Sequence, residues 1–382
     1  MDQPPHEVPL LSPRALGQFF LPVAATHLAL TGAILLSWGE SLHHHPLFPG
    51  SVATVHLYVL GVLTMALIGI ALGHLPLWTG IPLPWPGLNP WIRGSLALGA
   101  LTVFLGVGTN LHPWMLLVAS AGVGVACTFF LLQAGVMLFR TTRRNRMIAL
   151  LWLSWSALLG VFVLGGIFLG EYSHGFLAAY DRFAMVGTHL TWGVFGWAGA
   201  LLLVMRLTGM QDSVPPIPLW TVIGGWLSML LVPLALFYPG LDPRWLWPAA
   251  LPGLAALVAL TRISWSHSTR PINPYWRAAD LFGAVALLVL MIWPVWPDER
   301  WRFLFGLLML PGWSLSQLFG AYEQMQPGRL ELPHMIAHLS SVLLPVAGLF
   351  LPWEGSWRAG GGMMVISAAL LLTGGRKGRN IR

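Results

Sequence analysis

Between His56 and His74 the chain carries no charged side chain, and the stretch Ser51 to Pro82, SVATVHLYVLGVLTMALIGIALGHLPLWTGIP, is apolar or glycine at almost every position. A helical run of about 20 such residues, rising roughly 1.5 Å per residue, crosses the hydrocarbon core of a bilayer. The stretch is therefore expected to span a membrane with one imidazole near each end. An ionisable group there costs on the order of a few kcal/mol unless it has a partner, so each intramembrane histidine is a candidate functional residue.

Such segments recur at residues 16–38, 52–77, 92–109, 113–139, 147–170, 183–206, 217–238, 244–261, 277–295, 302–321, 332–352 and 357–375. They predict an all-α polytopic membrane protein with about twelve transmembrane helices, a single helical domain over residues 1–382, and the lipid bilayer as its first partner. Composition agrees: the 382 residues are 56% hydrophobic and 9% charged, more apolar than a soluble core can use. The net charge of +7 comes from arginines and one lysine spread between apolar segments, the pattern of topology signals and not of a nucleic-acid surface. The single cysteine, Cys127, allows neither an internal disulfide nor a thiolate cluster, which leaves histidine to hold any metal. Residues 1–15 contain four prolines and lack a basic stretch before a short apolar core, so no cleaved signal peptide is expected.

With the amino terminus in the cytoplasm, the inner side collects most of the basic residues, Arg140, Arg143, Arg144, Arg146 and Arg206 among them. The outer side keeps Arg182, Arg244, Arg300, Arg302 and Arg358. The positive-inside rule then predicts a bacterial-type inner membrane with both termini cytoplasmic.

This topology sorts the histidines by depth. His56 and His189 each lie about one turn into a helix that enters from the outer face. They head the similar segments VHLYVLGVLTMALIGIALGHLP and THLTWGVFGWAGALLLVMRLTG. Small residues follow each histidine, and small residues let a neighbouring helix or a flat macrocycle approach the backbone. A hydrogen bond across a helix interface is the alternative for either. His334 and His338, spaced i, i+4, share one helix face toward the inner end, where both could bind a metal or one could support the other. The alternative places His334 among the headgroups. His74, also toward the inner end, and His27, near mid-membrane, are second-tier candidates. His43, His44 and His45 are adjacent and cannot converge on one ion, and His112 and His174 fall beside outer loops. Asp280, three residues after Arg277, suggests an intrahelical ion pair or a proton-entry point. Tryptophans at segment ends, such as Trp78, Trp85, Trp91, Trp245, Trp247, Trp293 and Trp296, suggest an interfacial belt.

The segment His56 to Pro76, with Gly61 and Gly69 between, resembles the second helix of the haem–copper oxidase superfamily, which includes nitric oxide reductase catalytic subunits. PLWTGIP at 76–82 is similar to NnrS-type haem and copper membrane proteins, and VGTHLTWGVFGW at 186–197 resembles the sixth helix of the same superfamily. The resemblance implies an oxidase-like bundle, a low-spin haem on His56 and a metal on His189. The chain departs from the pattern twice. TVIGGWLSMLL at 221–231 lacks the histidine pair of the seventh helix, so a three-histidine copper site is incomplete. Residues 302–321 lack the histidines of the tenth.

The expectation is thus a membrane protein binding haem b. His56 is the axial ligand, His189 holds haem iron or copper, and His334 and His338 are further cofactor-binding candidates. The implied function is electron transfer, or binding or reduction of a small diatomic gas such as NO or O₂. An electron-donor cytochrome or another membrane subunit would be the partner. His56 and His74 are 18 residues apart, about 27 Å along a helix, and cannot serve the same iron. One haem is expected; a second, held by His74 with His334 or His338, would complete an electron wire. The other function classes are a secondary transporter, marked by interrupted helices with paired ionisable groups at mid-membrane, and a scaffold subunit without cofactor.

Overall fold

The computed structural model describes residues 13–42, 48–108, 114–174, 182–209, 216–237, 246–266, 273–292, 299–325, 330–351 and 355–377. The described elements are all helices: α1 (Pro13–Leu42), α2 (Pro49–Thr79), α3 (Asn89–Gly108), α4 (Trp114–Arg140), α5 (Arg146–His174), α6 (182–209), α7 (Leu219–Phe237), α8 (Leu246–Ser266), α9 (Pro274–Ile292), α10 (299–325), α11 (Leu332–Phe350) and α12 (Ser356–Lys377). Among the described residues nine are long and apolar enough to cross a membrane: α1 to α6, α8, α10 and α11. The apolar part of α7, Leu219–Ala235, is shorter. Helices of this number and character mark a multi-pass membrane protein.

Every fourth helix is different. α2, α6 and α10 are each interrupted by a π-helical segment, at Val59–Thr64, Trp192–Gly199 and Leu308–Ser314. A π segment carries an extra residue per turn and often marks a functional site. These three spans are also the most buried, at 78%, 67% and 78% of an 18-residue apolar stretch in each, against at most 50% for the other six, so they form the centre. They run parallel and level. Tyr58 Oη donates to the Leu310 carbonyl at 3.4 Å, and a Cβ on Gly199 would lie 3.5 Å from Trp313 Cη2. Each central helix packs on the helix before it and the helix after it, and the latter packs on the next. The result is three four-helix units arranged around three central helices.

The ring closes where α12 packs on α1 through facing glycines. A Cβ on Gly361 would sit 2.5 Å from Leu36 N and 2.6 Å from the Gly32 carbonyl oxygen. Backbone cannot yield as a flexible side chain does, so Gly361→Leu is expected to destabilise the protein by about 1–3 kcal/mol or more. A thermal unfolding midpoint in detergent equal to that of the wild type would contradict this packing.

Several arginines tie elements together as well as marking topology. Gly80, with φ of 74°, closes α2, and Arg143 donates to the carbonyls of Leu77 and Trp78 at 2.7 and 2.9 Å. These are carbonyls that a helix end leaves without partners, so PLWTGIP is a clamped helix terminus. Arg93 donates to the Phe19 carbonyl and Arg146 to that of Ile217. The tryptophan belt holds in part. Trp85 and Trp91 are exposed, but Trp78 is buried and packs on His74 at 5.4 Å. Trp245, Trp293 and Trp296 lie outside the described residues, as does the side chain of Trp247.

Candidate functional site

Burial along the central helices changes at the π segments. In α2, Val59 and Leu60 are half-buried and residues 61–73 are buried; in α6 the change falls between Phe195 and Gly196, and in α10 between Leu310 and Pro311. Beyond the π level residues 61–73, 196–207 and 311–322 are buried without a break. We call the opposite end of the bundle, where these three helices begin, the histidine end.

His56 and His189 lie side by side at this end, with ring centroids 6.2 Å apart and planes inclined by 30°. His56 Nδ1 donates to the Val52 carbonyl one turn back at 2.8 Å. That bond fixes the tautomer and leaves Nε2 with its lone pair, the usual state of a metal-binding imidazole. The His189 imidazole meets the backbone of Val161 one helix away, and its ring lies edge-on to Phe168 at 5.7 Å. Gly165 of α5 lies against this ring: a Cβ there would stand 3.6 Å from His189 Cε1.

The spacing suits a shared metal. A metal–nitrogen bond of about 2.0–2.1 Å, plus roughly 1.1 Å from nitrogen to ring centre on each side, separates two opposed imidazole centres by about 6.3 Å. The centroid spacing thus matches a metal shared by the two imidazoles.

The opposite half of the bundle is built differently. His334 and His338 are 2% and 0% exposed, so His334 does not lie among headgroups. His334 uses both nitrogens, Nδ1 with Tyr275 Oη at 2.7 Å and Nε2 with Ser367 Oγ at 3.2 Å. His338 Nε2 pairs with Ser316 Oγ at 2.7 Å, and its Nδ1 has no partner. Both rings pack edge-on against Phe319, at 4.6 and 5.0 Å. His74 Nδ1 donates to the Ile70 carbonyl at 2.9 Å. His27 donates from Nδ1 to the Val23 carbonyl at 2.9 Å, and its Nε2 faces the Ala97 carbonyl at 3.4 Å. Its ring fills the space where a side chain on Gly61 would lie. His43, His44, His45 and His112 lie outside the described residues, as does the side chain of His174. Among the described residues no three His, Cys, Asp or Glu side chains converge as a metal-ion site.

Asp280 requires a correction. Its partner is Arg206 of α6 and not Arg277. Arg206 Nη1 and Nη2 donate to the two carboxylate oxygens at 2.5 and 2.8 Å, and Trp265 Nε1 donates to Oδ2. Arg206, read from sequence as a loop residue, is 1% exposed. A charge can be held there because the carboxylate matches its planar fork.

No protein-family model matches the chain, and no curated protein matches it. Phe168 and Gly165, which touch the His189 ring, escaped sequence reading as parts of the histidine site.

Proposed function

We propose that this chain is a membrane protein that binds one haem b between His56 and His189 and passes electrons through it. The neighbouring imidazoles at 6.2 Å carry the reading. The proposal includes all twelve helices crossing a bacterial-type inner membrane with both termini cytoplasmic. It also includes a bundle distantly like that of the haem–copper oxidases and NnrS-type proteins. When bound, the iron would supply one-electron chemistry. His56 and His189 would hold the group, and electron transfer is the reading we favour over gas reduction. The Val52 carbonyl would orient His56 by accepting its Nδ1 proton. A second haem gains no support from His334, whose nitrogens are both engaged. A copper site finds no third ligand among the described residues.

Optical spectra of purified protein, oxidised and dithionite-reduced, test the reading. The expected result is a low-spin b-type spectrum, about one haem per chain and no change on adding carbon monoxide, as two histidines holding one haem would give. A colourless protein would end the haem proposal, and a ratio near two would restore the wire.

A further inference from the structure

Among the described buried side chains that leave polar atoms without partners, three come together at the junction of α6, α9 and α10. They are Arg206 Nε, Trp276 Nε1 and both ends of the Gln317 amide. Their residues are 1%, 3% and 1% exposed. They are neighbours. The Arg206 guanidinium carbon lies 5.6 Å from the Trp276 ring centroid, the indole edge of Trp276 lies against Gly320, and Gln317 sits one turn from Gly320 on α10. Buried polar groups in folded proteins are almost always paired, and leaving one unpaired costs on the order of 1–3 kcal/mol. Four such atoms in one place are too costly without a ligand.

The chemistry limits what the ligand is. Nε of arginine and Nε1 of tryptophan only donate, while the glutamine amide donates at Nε2 and accepts at Oε1. The charge of Arg206 is already matched by Asp280, so an added anion would itself be uncompensated in a low-dielectric interior. A small neutral molecule that both accepts and donates fits. We propose that the α6–α9–α10 junction is a hydrated site, in which ordered water accepts from Arg206, Trp276 and the Gln317 amide nitrogen and donates to the Gln317 oxygen. Asp280 and Trp265, joined at the same junction, are 14% and 43% exposed. Trp313, at the π level of α10, is 2% exposed.

Hydroxyl-radical footprinting tests this, because radicals generated from bound water oxidise the side chains beside it. Trp313 is as buried as Trp276 and serves as the dry reference, while Trp265 serves as the exposed one. Trp276 is expected to be oxidised about tenfold faster than Trp313, and Gln317→Leu, which removes two of the four polar atoms, is expected to bring it down toward the Trp313 rate. Equal rates for Trp276 and Trp313 in the wild type would overturn the proposal. Labelling of Trp276 that persists unchanged in Gln317→Leu would overturn it too, since the water would then not rest on Gln317.

Discussion

His56→Ala and His189→Ala are each expected to lose at least about ninety per cent of the bound haem, since removing even a group that merely supports a ligand costs about 10–100-fold in metal affinity. The two losses should be similar, because the rings lie 6.2 Å apart and a shared metal would depend on both. Pyridine haemochrome assay against protein concentration measures the effect, with size-exclusion chromatography reporting that each variant is folded. His334→Ala is the contrasting variant. Its ring is held by Tyr275 and Ser367, so its replacement should lower stability and leave haem content unchanged. A different outcome is equally readable. If His189→Ala kept its haem but turned high-spin and bound carbon monoxide, His56 would be the stronger ligand and the site could be opened. If His189→Ala kept both haem and the low-spin spectrum, the shared metal would be wrong and the ring contact merely structural.

The pairing of His56 with His189 was legible because both head similar apolar segments at equal depth. The third central helix was not, because its corresponding stretch, RFLFGLLMLPGWS, has no histidine to attract notice. What it shares with the other two is a π segment. That feature cannot be read from hydropathy when almost every position is apolar, since a period of 3.6 and a period of 4.4 then look alike. His334 was hard to place for another reason. It lies in the first turn of α11, a headgroup position by sequence, and is buried only because Tyr275, Phe319 and Ser367 come to it from three other helices. Asp280 shows the same limit. Local spacing pointed to Arg277, while the partner came from 74 residues away.

That distant pair leads to the largest expected loss of stability. Arg206→Leu should destabilise the protein by about 3–5 kcal/mol, because it leaves the Asp280 carboxylate with one N–H, from Trp265, in place of three and with no matching charge. Asp280→Leu should be as harmful, since it strands a guanidinium that is 1% exposed. With a domain's total stability only about 5–15 kcal/mol, either variant is expected to reduce folded yield sharply. The double variant Arg206→Met/Asp280→Leu should recover much of the loss, because two apolar side chains leave no charge behind and a buried ion pair adds little over a packed apolar pair. Thermal unfolding in detergent measures all three. The recovery is the decisive comparison: a double variant as unstable as the worse single one would mean that the two residues act separately, and that α6 is not joined to α9 through this pair.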